Sequence, residues 1–169
     1  EKIYGSDFVV AAGLFSKDVM WKLGIRLPLL AIKGYSITFD KPKEYSPWKH
    51  TFCTFKGSIY YSRLGDKYRA AGLAEISGIN LNLREDKINR IISETKDLFG
   101  DDITNITPWC GLRPVSSDDV PIISQIKPYK NLFVNTGQGS KGTTLSLGSG
   151  KLLSTLVTHK PIENINPYN

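Results

Sequence analysis

Gly137-Gln138-Gly139-Ser140-Lys141-Gly142 satisfies the glycine pattern G-x-G-x-x-G, yet it stands close to the end of a 169-residue chain. Leu132-Phe133-Val134 before it is a short apolar run of strand formers, and residues 143–157 after it carry Leu at helix-compatible spacing. Such a passage opens a dinucleotide-binding fold only when a whole βαβ unit of about 30 residues follows, with an acidic residue about 20 positions on. Residues 143–169 leave room for one helix and a tail, and Glu163 falls in that tail after Pro161. The motif therefore reads as a glycine-rich turn opening a helix, not as a complete fingerprint. The N-terminus of that helix still offers free N–H groups to an anion or a polarised carbonyl.

The texture upstream changes twice. Asp7-Phe8-Val9-Val10-Ala11-Ala12-Gly13 is a continuous apolar run ending in small residues, the pattern of a strand buried on both faces in a parallel sheet. Residues 16–23 read as a short helix closed by Gly24. Residues 31–39, 51–61 and 67–74 are β-rich, separated by Lys41-Pro42-Lys43-Glu44-Tyr45-Ser46-Pro47 and by Gly65-Asp66, which predicts an antiparallel meander. Residues 84–99 place Ile88, Ile91, Ile92, Thr95 and Phe99 at helical spacing with Gly100 as a stop, so an amphipathic helix packs on that sheet. Parallel texture then returns, with short strands at 121–123 and 131–135. The order predicts an α+β chain in which α/β pieces flank a mostly antiparallel β-rich layer carrying one helix. The expected boundaries are 1–26, 27–105 and 106–169. The outer pieces are too few to close a parallel sheet, and the chain begins at Glu1, so an N-terminal part is expected elsewhere.

A hydrophobic content of 40% supports a core, and no apolar run approaches the ~20 residues of a membrane span. The +6 charge is spread over Lys22, Lys41, Lys43, Lys87, Lys130 and Lys151 without a run, which reads as a solvated surface and not a nucleic-acid face. Cys53 and Cys110 are far apart and only two His are present, so no metal site is expected and both thiols are read as buried. No Ser/His/Asp or Cys/His arrangement suggests a nucleophilic hydrolase.

Trp109-Cys110-Gly111-Leu112-Arg113-Pro114 is the most informative hexapeptide. Pro114 forces Arg113 into an extended conformation among apolar neighbours, so its guanidinium emerges from a semi-buried wall. There it suits a carboxylate, bound bidentately, or an internal salt bridge with Asp118 or Asp119; both roles are open at this point. Of Tyr60 and Tyr61, adjacent on a strand, one can face a ligand while the other packs.

These pieces resemble, in colinear order over nearly the whole chain, the C-terminal half of the bacterial D-amino acid dehydrogenases, FAD-dependent amine oxidoreductases related to D-amino acid oxidase and glycine oxidase. The residues that carry the resemblance are Asp7 through Ser16, Leu23-Gly24-Ile25-Arg26-Leu27-Pro28, Lys33-Gly34-Tyr35-Ser36-Ile37-Thr38, Ala71-Gly72-Leu73-Ala74-Glu75, Trp109 through Pro114, and Asn135-Thr136-Gly137 through Leu153. The resemblance implies FAD as cofactor, and hydride transfer from a D-amino acid to the flavin, giving an imino acid that hydrolyses to a 2-oxo acid and ammonia. It implies a respiratory-chain electron acceptor and a cytoplasmic enzyme, with peripheral association at the inner membrane left open. An oxidase of glycine or a secondary amine, or an inactive fragment or heteromer subunit that needs a partner chain, are the alternatives. By the same resemblance Arg113 is a catalytic candidate, and Tyr60, from the strand alternation, is the other. The cofactor-binding candidates are Ala12, Gly13, Gly137, Gln138, Gly139, Ser140, Lys141, Gly142, Thr143 and Thr144, with the N-terminal half of the enzyme or a partner subunit supplying the dinucleotide fingerprint. The family commonly has His, Leu and Trp where this chain has Gln138, Lys141 and Thr143, and glycine where it has Asp119.

Overall fold

The computed structural model describes residues 2–40, 50–54 and 59–159; the Lys41 to Pro47 connection and the tail from residue 160 lie outside the described residues. The chain divides into two compact units, Glu1–Ala31 with Arg113–Asn169, and Ile32–Leu112.

In the first unit, strand β1 (Phe8–Val10) pairs in parallel with β8 (Leu132–Thr136), and β8 pairs antiparallel with β7 (Ile122–Gln125), giving the order β1-β8-β7. Helices α1 (Ser16–Trp21) and α3 (Gly142–Val157) belong to this unit. Its core gathers Met20, Leu27, Leu29, Ile126, Leu132 and Val134. Two expectations are corrected. The returning texture is parallel only between β1 and β8, because β7 reverses direction through a short connection. The apolar run of β1 is not buried on both faces: Phe8 is 41% and Val9 46% exposed. Strand β1 lies at the edge of this sheet, with no neighbour on its other side among the described residues.

The second unit holds a five-stranded sheet in the order β3-β4-β5-β2-β6. Its strands are β2 (Leu29–Asp40), β3 (Phe52–Cys53), β4 (Tyr60–Leu64), β5 (Lys67–Ile76) and β6 (Thr107–Ser116), of which β2 and β6 carry the chain across the division. The predicted strand over 51–61 is two short strands that pair with each other, Phe52 opposite Tyr61. Helix α2 (Glu85–Phe99) covers one face of the sheet. It starts with Glu85 and Asp86 in its first turn, where carboxylates complement the helix dipole, and it ends at Gly100, whose φ of +79° stops it.

Side chains alternate along the strands. Tyr35, Ile37 and Phe39 of β2, Tyr61 of β4, and Tyr68 and Ala70 of β5 enter the core against Ile88, Ile91 and Phe99 of α2. Tyr61 stacks on Phe52 at 5.2 Å and meets Phe99 edge-on at 5.4 Å, arrangements that aromatic quadrupoles favour. The intervening residues Ser36, Thr38, Tyr60 and Arg69 are left to the opposite side of the sheet. Cys110 is buried as expected, but Cys53 is exposed, since the two-residue β3 leaves it outside the core.

Candidate functional site

The parallel pairing of β1 and β8 brings two glycine-bearing loops together. Phe8, Val9 and Val10 lie opposite Leu132, Phe133 and Val134, so the strands end side by side at Ala12-Gly13 and at Thr136-Gly137. The Thr136 hydroxyl donates to the Gly13 carbonyl at 2.7 Å and ties the loops. The Ala12 N–H donates to Ser16 Oγ at 3.0 Å, holding the first loop against α1. In open α/β sheets the carboxyl ends of parallel strands are where ligands settle.

Two glycines in the second loop are required by conformation. Gly137 has φ of +84°, and a Cβ there would stand 3.4 Å from Leu29 and from Ser116. Gly139 has φ of +57°, with Asp119 Oδ1 3.3 Å from the Cβ position. Only glycine takes such backbone without strain at both sites. From Gly139 the chain makes one 3-10 turn and enters α3 at Gly142, and no side chain caps either start. Ser140, Lys141, Thr143 and Thr144 are exposed there. The first-turn N–H groups of α3 are therefore not satisfied by side-chain caps and lie beside the paired loops. Gln138 donates its side-chain amide to the Asn135 side chain, which fixes it within the loop.

Lys141 forms an ion pair with Asp119 in the turn between β6 and β7. Asp119 itself has φ of +60°, a conformation in which a glycine carries no strain and Asp is tolerated. The two positions noted as departures from the family pattern thus satisfy one another. Asp118 accepts from the Val120 N–H at 3.1 Å. Arg113 lies in extended β6, as the following proline dictates, and is half-buried.

Tyr60 belongs to the other unit. It is 57% exposed on the sheet side away from α2, whereas Tyr61 is fully buried, so the alternation separates the two tyrosines. Two groups in this unit were not singled out from sequence. One is a charge cluster around Glu75, which accepts from the Tyr35 hydroxyl and pairs with Lys33 at 3.5 Å and Arg84 at 3.2 Å. The Tyr35 hydrogen bond, then Arg84 and Lys33, hold the Glu75 carboxyl below the usual carboxylate range. The Tyr35 contact, with Glu75, raises Lys33, and burial first, then Glu75, raises Tyr35. Lys33 also donates to the Asn82 carbonyl at 3.1 Å. The other group is Arg69 with Ser36 and Trp109. Its sequence signal was the alternation of β2 and β5, which sets Ser36, Thr38 and Arg69 opposite the core residues between them.

The family described as FAD dependent oxidoreductase (DAO) matches residues 2–156. Curated relatives include the D-amino acid dehydrogenase of Paramagnetospirillum magneticum, 37% identical over 161 residues, and that of Agrobacterium fabrum, 40% identical over 159 residues. These alignments take in 94% and 91% of this chain but only 38% and 37% of the relatives, so the chain spans less than two fifths of their length. Among solved structures, iminodiacetate oxidase from Chelativorans sp. BNC1 is similar with a TM-score of 0.85 at 22% identity, over 99% of this chain and 46% of that one. Glycine oxidase from Geobacillus kaustophilus is similar with a TM-score of 0.81 at 20% identity, over 96% and 44%. At those identities the likeness is one of fold. With a glycine-rich loop at the carboxyl ends of parallel strands and a family match over most of its length, the chain belongs to the DAO family of FAD-dependent oxidoreductases.

Proposed function

We propose that this chain is the C-terminal portion of an FAD-dependent D-amino acid dehydrogenase, and that Glu1–Ala31 with Arg113–Asn169 contributes its flavin-contacting loops. The observation that carries the reading is the pair of tied loops at Gly13 and Gly137, beside a helix start without a side-chain cap. The names of the curated relatives support D-amino acids as the substrate class.

The residues present fit FAD. Ala12 is exposed, and at Gly13 a Cβ would find only Pro114, at 4.0 Å, so the backbone there is open to a flat ligand. Gly137, Gly139 and Gly142 keep side-chain bulk off the second loop, and the N–H groups opening α3 donate to an oxygen or nitrogen that carries negative charge. FAD, when bound, supplies the hydride acceptor. Arg113 holds the substrate carboxylate through its planar fork, which fixes the Cα position. The substrate amine enters the reaction neutral, with its own lone pair, so no side chain is assigned as general base. The remaining part of the enzyme, in the same polypeptide or a partner chain, supplies the dinucleotide fingerprint.

The test is turnover by the complete enzyme with an artificial electron acceptor. Dye reduction with D-alanine, and none with L-alanine or glycine, is expected. Peroxide formation from glycine or sarcosine in preference to dye reduction by D-alanine would contradict the dehydrogenase reading.

A further inference from the structure

On the side of the five-stranded sheet away from α2, Ser36, Thr38, Leu64, Arg69, Thr107 and Trp109 line a cavity of about 330 Å³ contained within the unit Ile32–Leu112. That volume is at the small end of ligand pockets and suits a molecule of amino-acid size. Arg69, half-buried in β5, is oriented twice over. Its Nη2 donates to Ser36 Oγ at 3.2 Å, and its guanidinium carbon stands 5.4 Å from the centre of the Trp109 ring. Among the described residues no carboxylate forms an ion pair with it; its contacts are Ser36 and the Trp109 ring. The guanidinium is a fixed, planar array of five donors, of which Ser36 takes one.

We infer that this cavity is a carboxylate-binding subsite in which Arg69 takes the anion and Trp109 with Leu64 takes the aliphatic remainder of a small ligand. A single cation matches the single charge of a carboxylate, and a pre-oriented fork matches its two oxygens. The hydroxyls of Thr38 and Thr107 supply further polar groups in the lining. The Trp109 ring strengthens the preference, because it holds the guanidinium plane without neutralising its charge. The inference goes beyond the flavin reading and does not depend on it: every residue of the subsite lies within Ile32–Leu112, and its ligand could be recognised by a chain that holds no flavin.

The experiment follows the indole N–H resonance of Trp109 in the 169-residue chain, assigned by its loss in Trp109→Phe, while sodium propionate is added. A saturable shift is expected, with propionamide at the same concentrations causing none. Arg69→Gln is expected to weaken propionate binding at least tenfold, and Arg90→Gln, on α2 and paired with Glu94, to leave it unchanged. If Arg69→Gln does not fold, Ser36→Ala replaces it, with several-fold weaker binding expected because the guanidinium loses its orienting partner. Absence of a saturable shift in the parent chain overturns the inference, as does an Arg69→Gln or folded Ser36→Ala variant that titrates like the parent. A loss of binding in Arg90→Gln equal to that in Arg69→Gln overturns it too, and would point to a nonspecific charge effect instead.

Discussion

Glu75 gathers a phenol, an ammonium and a guanidinium from positions 35, 33 and 84; Tyr35 and Lys33 are buried, whereas the Arg84 side chain is half exposed. Folding lowers its pKa below the ordinary 4.5, so the stability it contributes is present above that value and lost as pH falls through the folded one. Lys33, raised above 10.5, behaves oppositely: its contribution is present below 10.5 and lost as pH rises. Glu75→Gln is therefore expected to lower the melting temperature at neutral pH and to flatten its fall on acidification, because buried Lys33 loses its anion. Melting curves taken from acid to neutral pH check this; curves parallel to those of the parent chain would count against the cluster. Arg113 yields a second prediction, resting on the proposed function. Arg113→Lys in the complete enzyme is expected to raise KM for the D-amino acid about tenfold to a hundredfold, from the loss of a charged hydrogen bond of about 1.5–3 kcal/mol. Flavin content should not change. Unaltered KM and kcat would make Arg113 structural.

The loop between β8 and α3 and the turn between β6 and β7 are joined by Lys141 and Asp119, each about half exposed. In water such a pair stabilises little, about 0–1 kcal/mol, so its effect belongs to the field near the loop and not to the fold. In the complete enzyme, Lys141→Met alone leaves an unpaired anion and is expected to lower the flavin midpoint potential. The double variant Lys141→Met with Asp119→Gly removes both charges and is expected to keep the parent potential. An anaerobic potential titration separates the outcomes; a double variant lowered as far as the single one would show that Lys141 acts alone. The elements themselves were unevenly legible. Helix α2 could be read almost to the residue, because Ile88, Ile91, Thr95 and Phe99 mark one face and Gly100 marks the end. Strand β6 was hidden, since Gly111 and Pro114 interrupt a run that otherwise holds strand formers. The Arg69 cavity was hidden for another reason: it needs Ser36, Arg69 and Trp109 from three strands, a juxtaposition set by register and not by local spacing. The same holds for Lys33 and Glu75, which the antiparallel pairing of β2 and β5 places opposite one another.

At the scale of the molecule, the glycine pattern at 137–142 follows a strand and opens a helix, as a dinucleotide fingerprint does. Helix α3 runs to Val157, two residues before the last described residue. The sheet that carries these loops has three strands, and its β1 edge bears exposed Phe8 and Val9. The chain spans less than two fifths of its curated relatives, and the proposed function assigns the dinucleotide fingerprint to the remaining part of the enzyme. No helix among the described residues is long and apolar enough to cross a membrane. The most direct measurement is an absorbance spectrum of the purified 169-residue chain mixed with FAD and then desalted, alone and together with the half that carries the complete fingerprint. The account predicts a colourless chain alone and a flavin spectrum near one equivalent for the pair. Tight, stoichiometric FAD retention by the chain alone would contradict it.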